Sequence, residues 1–197
     1  ISGNLQRSRT LAESTLNRAE EGRFVKYKLA ALTNLSVTAL YSGHAERASR
    51  LLGQVIPETT QLTYVKLGAL DTLAQACLYA DDLESCRRAL EQCLQAGTAD
   101  RVPGRSWYDL AHQLTRCAYY ERLEDWPQIV AIADQVEPEL ARRQYKALRT
   151  SLLCAKARAL ARLRQHTAAQ ACLTTAVRVC PRGAVDPLIV LEASKGL

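Results

Sequence analysis

The sequence has no methionine, one phenylalanine and two tryptophans, and only nine glycines and six prolines punctuate its 197 residues. No apolar run approaches the ~18 residues of a membrane-spanning helix, and no charged start followed by a short apolar stretch marks a signal peptide. None of the glycines belongs to a G-x-G-x-x-G or G-x-x-x-x-G-K phosphate loop. Neither a G-x-S-x-G elbow nor a helix with paired histidines is present. The expectation is a non-enzymatic chain with no catalytic residue, no metal and no cofactor. Seven cysteines are present, an odd number, with no Cys-x-x-Cys, and His44, His112 and His166 lie far apart. This argues against a disulfide framework or a zinc site and for a reduced, cytoplasmic protein. The chain opens on Ile1, and both ends read as cut, so the expectation is a piece of a longer protein.

Acidic residues are missing from one long stretch. Between Ala141 and Val185 there are ten Arg or Lys and no Asp or Glu, while the rest of the chain has 16 basic and 20 acidic residues. The net charge of +6 is therefore concentrated in one segment.

Ala, Leu, Arg, Glu and Gln dominate and apolar residues make up 48 %, which favours helices with a substantial core. The phrase KLAALTNLSVTALYSG beginning at Lys28 is nearly rewritten as KLGALDTLAQACLYAD beginning at Lys66, 38 positions on. The shared apolar positions Leu29/Leu67, Leu32/Leu70, Leu35/Leu73 and Leu40/Leu78 recur at helical steps. Each phrase ends in a polar break followed by a second apolar-periodic stretch, so the repeated unit is a helical hairpin. Breaks at Gly3, Gly43, Asp81, Glu124 and Arg164 are spaced 40, 38, 43 and 40 residues apart. Such a period predicts a solenoid, in which no hairpin buries its apolar face alone. The widest interval contains GTADRVPGR, expected as the longest loop, and Ser106 with Asp109 is the expected helix start after it.

The positions after each break carry a small or apolar residue at five, nine and twelve. They hold Ala48, Leu52 and Val55; Cys86, Leu90 and Cys93; Ile129, Ala133 and Val136; and Ala169, Leu173 and Ala176, the last followed by Pro181. From Gly3 the same count gives Ser8, Ala12 and Thr15. This pattern resembles the tetratricopeptide repeat (TPR), with a period near forty instead of the usual ~34. The lengthened hairpins are similar to the TPR regions of MalT-like bacterial transcription regulators. The resemblance implies an all-α right-handed superhelix, a solenoid of stacked antiparallel helical hairpins, over a single domain 1–197. Its parts would be a half-repeat at 1–21, repeats at about 24–57, 59–97, 105–139 and 141–181, and a trailing helix at 185–195 beginning at Asp186 and Pro187. Cys86 and Cys93 fill small-residue seats, and Cys77 and Cys117 fall on the facing side of their helices, so packing accounts for them.

In this family the first helix of each hairpin lines the concave surface. Lys28 and Lys66 share one register there, and Tyr41 and Tyr79 share another near the turn, continued by Arg122 and Arg162. On a helix expected from about Arg142 to Arg164, residues Arg142, Lys146, Arg149, Lys156 and Arg164 form a basic stripe, with Arg158 and Arg162 nearly opposite the core. The candidate binding residues are Lys28, Tyr41, Lys66, Tyr79, Arg149, Arg158 and Arg162. The stripe reads either as a site for an anionic partner or as a solvated face whose counter-charges lie on a domain outside the chain. The Tyr row reads either as contact surface or as inter-repeat packing. Chaperone-binding TPR proteins hold a peptide carboxylate with Lys, Asn and Arg, and the matching places here carry Thr33, Val37, Thr72, His112 and Thr115, so that clamp is missing.

The function expected is protein–protein interaction or ligand sensing within a larger bacterial transcription regulator. The partner would be a protein or peptide, acidic if the stripe receives it, or a small-molecule effector, with no membrane. A plain assembly scaffold is the alternative. A helical-repeat nucleic-acid binder is the remoter one, because aromatics do not interleave with the stripe.

Overall fold

The computed structural model describes residues 5–59, 62–99 and 107–180. Among these the chain is all-α: α1 (Leu5–Glu21), α2 (Val25–Tyr41), α3 (Ala45–Val55), α4 (Thr63–Tyr79), α5 (Leu83–Ala99), α6 (Trp107–Arg122), α7 (Trp126–Arg142), α8 (Lys146–Arg162) and α9 (His166–Val179), with one 3-10 turn at Ile56–Thr59. The expected break at Gly3, the loop core around Pro103 and the trailing helix at 185–195 lie outside the described residues. Helix α5 runs through Gly97 to Ala99, past the point where the loop was expected to begin.

The turns explain the hairpins. Six described residues have positive φ: Arg23, Gly43, Asp81, Glu124, Gln144 and Arg164, between +55° and +82°. At each, two backbone bonds close the preceding helix in a Schellman arrangement. At Asp81, for example, its own N–H donates to Leu78 O and the next N–H, of Asp82, donates to Cys77 O (3.3 and 2.9 Å). Gly43, Asp81, Glu124 and Arg164 are the four breaks read from the period. After two of them an aspartate caps the next helix: Asp82 Oδ1 accepts from Ser85 N (2.9 Å) and Asp125 Oδ1 from Gln128 N (3.2 Å). Arg23 and Gln144 make the same turn between hairpins. Helix α8 therefore starts at Lys146, and Arg142 ends α7, which corrects the helix expected from Arg142 onward.

First and second helices bury differently. The second helices α3, α5 and α7 are one-sided, and their counted seats sit in the core: Ala48, Leu52 and Val55, then Cys86, Leu90 and Cys93, then Ile129, Ala133 and Val136 are all buried. Ser8 and Thr15 on α1 are exposed and only Ala12 of that trio is buried, because α1 packs chiefly on α2. The first helices α2, α4 and α8 are buried on more than one side, as an element flanked by helices before and after it must be. Helix α8 sets Leu152, Ala155 and Ala159 against α7, and Leu153 and Cys154 against Ala176 of α9. The single apolar stripe read from sequence is thus one of two. Hydroxyls buried by this arrangement donate back along their own helix: Thr33 to Leu29 O, Thr72 to Gly68 O and Thr150 to Lys146 O, at 2.7–2.9 Å.

By contacts the chain divides into two compact units, residues 1–109 and 110–197. The first has cores around Leu29, Leu32, Leu52, Val55 and Ala69, around Leu40 and Ala48, and around Leu67, Leu70 and Cys93. The second is built on Leu110, Ile129, Val136, Leu140 and Leu152.

Candidate functional site

Helices expose side chains where neighbouring helices do not cover them, and in the first helices this is chiefly near their ends. In the first unit Tyr41 closes α2 and Tyr79 closes α4, and they are 46 % and 67 % exposed. The Tyr41 hydroxyl donates to Gln75 Oε1 on α4 (3.2 Å), and Gln75 Nε2 donates to Asp71 Oδ2 (2.9 Å). Burial raises the Tyr41 pKa, and the Asp71 carboxylate and the Tyr79 hydroxyl raise it further, so both groups act on that hydroxyl. Lys28 turns elsewhere, its Nζ lying 3.3 Å from Glu20 on α1. Lys66, in the same register on α4, is half-buried. Nothing brings the two lysines onto the tyrosine row.

In the second unit the basic residues find acids. Arg158 donates through Nε and Nη2 to both oxygens of Glu121 on α6, each at 2.9 Å. Arg149 Nε donates to Glu137 on α7 (2.7 Å), and Lys156 Nζ to Asp134 on α7 (2.5 Å). Burial is the largest single influence on the Lys156 pKa and lowers it, but the hydrogen bond to Asp134 together with the negative charges of Asp134 and Glu137 and the Cys172 thiol outweighs it, and the net shift is upward. Arg142 and Arg143 share Glu139 at the end of α7, and their hydrogen bonds pull its carboxyl down to about 2. The counter-charges for Arg149, Lys156 and Arg158 therefore stand on α7 and α6 of this chain, not on a domain outside it. Nor does Arg158 point away from the packing, since its side chain is only 28 % exposed. Arg162 is different: it is exposed, with its guanidinium 5.6 Å from the ring centre of Trp126 at the start of α7.

Two of these contacts share a register the sequence reading missed. Gln75 and Arg158 both stand six residues before their turn residues Asp81 and Arg164, and each reaches a residue near the end of the preceding first helix, Tyr41 or Glu121. Sequence contains the signal, because Val37, Gln75, Ala118 and Arg158 occupy that position in turn and only two of them carry a hydrogen-bonding side chain.

A further feature lies at the opposite ends of the first unit's first helices. Phe24 and Tyr27 meet edge to face at 6.2 Å, and Tyr64, Trp107 and Tyr108 form a cluster with ring separations of 6.1 and 5.3 Å. A Cβ on Gly68 would come within 3.3 Å of the Tyr108 ring, so this glycine admits the ring against α4. Four cysteines, Cys86, Cys93, Cys117 and Cys154, are buried. Burial pushes the thiols of Cys86 and Cys117 up to about 12, which suits packing and opposes thiolate chemistry. The places of the missing carboxylate clamp, Thr33, Thr72, His112 and Thr115, are themselves buried. No described helix is long and apolar enough to cross a membrane, and no described group of three or more His, Cys, Asp or Glu is placed to hold a metal ion.

No family model matches the sequence, and no curated protein matches it. Among solved structures the chain is similar to two crystal structures of a candidate kinesin light chain from Podosopora anserina with nearly identical TPR-like repeats. Identity is 18 % and 19 %, with TM-scores of 0.61 and 0.59, and the match covers 89 % of this chain and 94 % of each of the others. At that identity the likeness shows the fold: an all-α array of TPR-like helical hairpins.

Proposed function

We propose that the chain is a protein-interaction module that binds partner segments on the faces of its first helices and does no chemistry itself. The observation that supports this best is the contrast along those helices. Their middles are buried, while Tyr41 and Tyr79 in one unit and Arg162 in the other stand exposed near the ends where the hairpins turn. Exposed tyrosine offers contact area at little entropic cost, and arginine resting on an indole is already ordered for binding. Arg149 and Arg158 are assigned to holding the second unit together, since their charge is met by Glu137 and Glu121.

Selection of a random dodecapeptide library on the immobilised chain tests the reading. Retained peptides should lose binding by about fivefold or more when Tyr79→Ala and Arg162→Ala are combined. They should bind undiminished when Val177→Ala is made on the exposed side of α9. Peptides indifferent to the double variant would place binding elsewhere. The finer placement, as the sensing segment of a larger bacterial transcription regulator, rests on repeat length and composition. It predicts a phosphate-loop ATPase or a helix-turn-helix in the parent gene.

A further inference from the structure

We propose that the starts of α2, α4 and α6 form a second binding surface, one that takes single-stranded nucleic acid. It uses other residues than the peptide-binding reading and stands or falls independently of it.

Three first helices begin alike. Lys26, Tyr64 and Trp107 each stand 17 residues before the turn residue of their hairpin, Gly43, Asp81 or Glu124. Tyr27, Val65 and Tyr108 follow one place on. Packing sets these starts side by side. Leu29 of α2 lies in the core cluster against which Leu62 and Val65 of α4 pack. A Cβ on Gly68 would lie 3.3 Å from the Tyr108 ring and 3.8 Å from the Thr33 methyl, so α4 meets α2 on one flank and the start of α6 on the other. All of these residues fall within the first unit.

The surface combines ring faces with positive charge. Tyr27, Tyr64, Trp107 and Tyr108 are all exposed, by 40–60 %. The Tyr108 ring is 6.1 Å from Tyr64 at a tilt of 35°, and 5.3 Å from Trp107 at nearly a right angle. Lys26 is exposed and Lys66 half-buried, and neither takes part in an ion pair among the described residues. The first turns of α2 and α4 contain no acid, and Asp109 in the first turn of α6 is half-buried. The chain's net charge of +6 adds long-range attraction for an anion. A matching ligand is flat and apolar at intervals and anionic between them. An acidic peptide supplies charge but no succession of ring faces, and a duplex hides its base faces in its own stack. A single strand offers both, bases to the rings and phosphates to the lysines. The α8 stripe has no such alternation, and its Arg149, Lys156 and Arg158 already meet acids.

Fluorescence anisotropy on the full chain tests this with a labelled oligothymidylate of about 15 nucleotides, its RNA counterpart, an abasic strand and a duplex of the same length. One or both single strands should bind at about 50 mM salt and lose about tenfold or more in affinity at about 200 mM. The abasic strand and the duplex should bind at least about fivefold more weakly at the lower salt. Trp107→Ala should weaken the single strand by about fivefold or more with its salt slope unchanged. Lys26→Gln combined with Lys66→Gln should weaken it and lower that slope by about 1. Tyr79→Ala should leave binding unchanged. Because Tyr64 and Lys26 are exposed, Tyr64→Ala and Lys26→Gln supply folded variants even if Trp107→Ala disturbs Tyr108. No binding of either strand at low salt, an abasic strand or duplex held as tightly, or indifference to the folded variants overturns the assignment. A Glu-Gly peptide that displaces the strand and requires Trp107 would overturn it in favour of an acidic protein segment. In every case the library selection, read at Tyr79 and Arg162, decides the peptide-binding reading separately.

Discussion

The two units solve one problem with different chemistry. In each, a side chain six residues before the hairpin turn reaches back to the end of the preceding first helix. In the first unit Gln75 accepts from Tyr41, a neutral bond next to an open tyrosine face. In the second, Arg158 grips Glu121 in a two-pronged ion pair, and Arg149 and Lys156 add pairs to α7. The same register thus leaves one unit with a neutral lateral bridge beside accessible rings, and gives the other an ionic bridge, flanked by pairs that meet the charge of Arg149 and Lys156. A run of like charge in sequence is therefore a poor guide to surface potential in a repeat protein, because the compensating acids sit a helix or a repeat earlier.

The comparison can be broken at several strengths. The largest effect belongs to what the units share, a close-packed core. Leu70→Ala in the first unit and Leu152→Ala in the second, both fully buried, should each cost about 3 kcal/mol in denaturant unfolding. A loss below about 1 kcal/mol at either would mean that unit is not packed as described. Next come the bridges. Arg158→Leu leaves Glu121 partly buried without its guanidinium and should cost about 1–2 kcal/mol after allowance for solvent screening. Gln75→Leu should cost about 0.5–1 kcal/mol. Raising sodium chloride to about 1 M should shrink the first difference and leave the second unchanged. Equal salt sensitivity would erase the distinction between the units.

Turns give a smaller effect of opposite sign. Arg164 holds a left-handed conformation at φ +61°, so Arg164→Gly should raise stability by about 0.5–1 kcal/mol, while Gly43→Ala at φ +82° should lower it by about 1 kcal/mol. Both can be read from thermal midpoints. The smallest effect is in acid. The folded-state pKa of Glu139 is depressed from 4.5 to about 2 by its bonds to Arg142 and Arg143. Its contribution is present above the ordinary carboxylate range and is lost as pH falls from 4.5 toward 2. Glu139→Gln should flatten that part of the stability profile, and an unchanged profile would mean the exposed pairs contribute nothing.

The hairpin period was legible because seats in the core accept only small or apolar residues, and Ala48, Cys86, Ile129 and Ala169 record that constraint one repeat after another. The intra-hairpin breaks were legible because polar residues interrupt helical periodicity there. The break around Arg23 was read between the half-repeat ending at 21 and the repeat starting at 24, but the turn at Gln144 was not, and the left-handed conformation of neither was legible, since neither residue type signals it; five of the six described positive-φ residues lack glycine's usual mark. Missing the Gln144 turn is why Arg142 was assigned to the helix that follows it. The tyrosine row was legible from register alone. Its partners Gln75 and Asp71, and the acids Glu121, Glu137 and Asp134, were not, because they reach across helices and the register of one helix against the next is set by packing rather than by period.

The most direct test of a binding role for the first-helix faces is site-specific photocrosslinking. A benzophenone amino acid would replace Tyr79, Arg162 or, as the comparison, the exposed Glu46 on α3. Each chain would be irradiated with the peptides retained from the library. Covalent adducts at positions 79 and 162 with none at 46 are the predicted result. Adducts at 46 alone, or equally at all three, would contradict it.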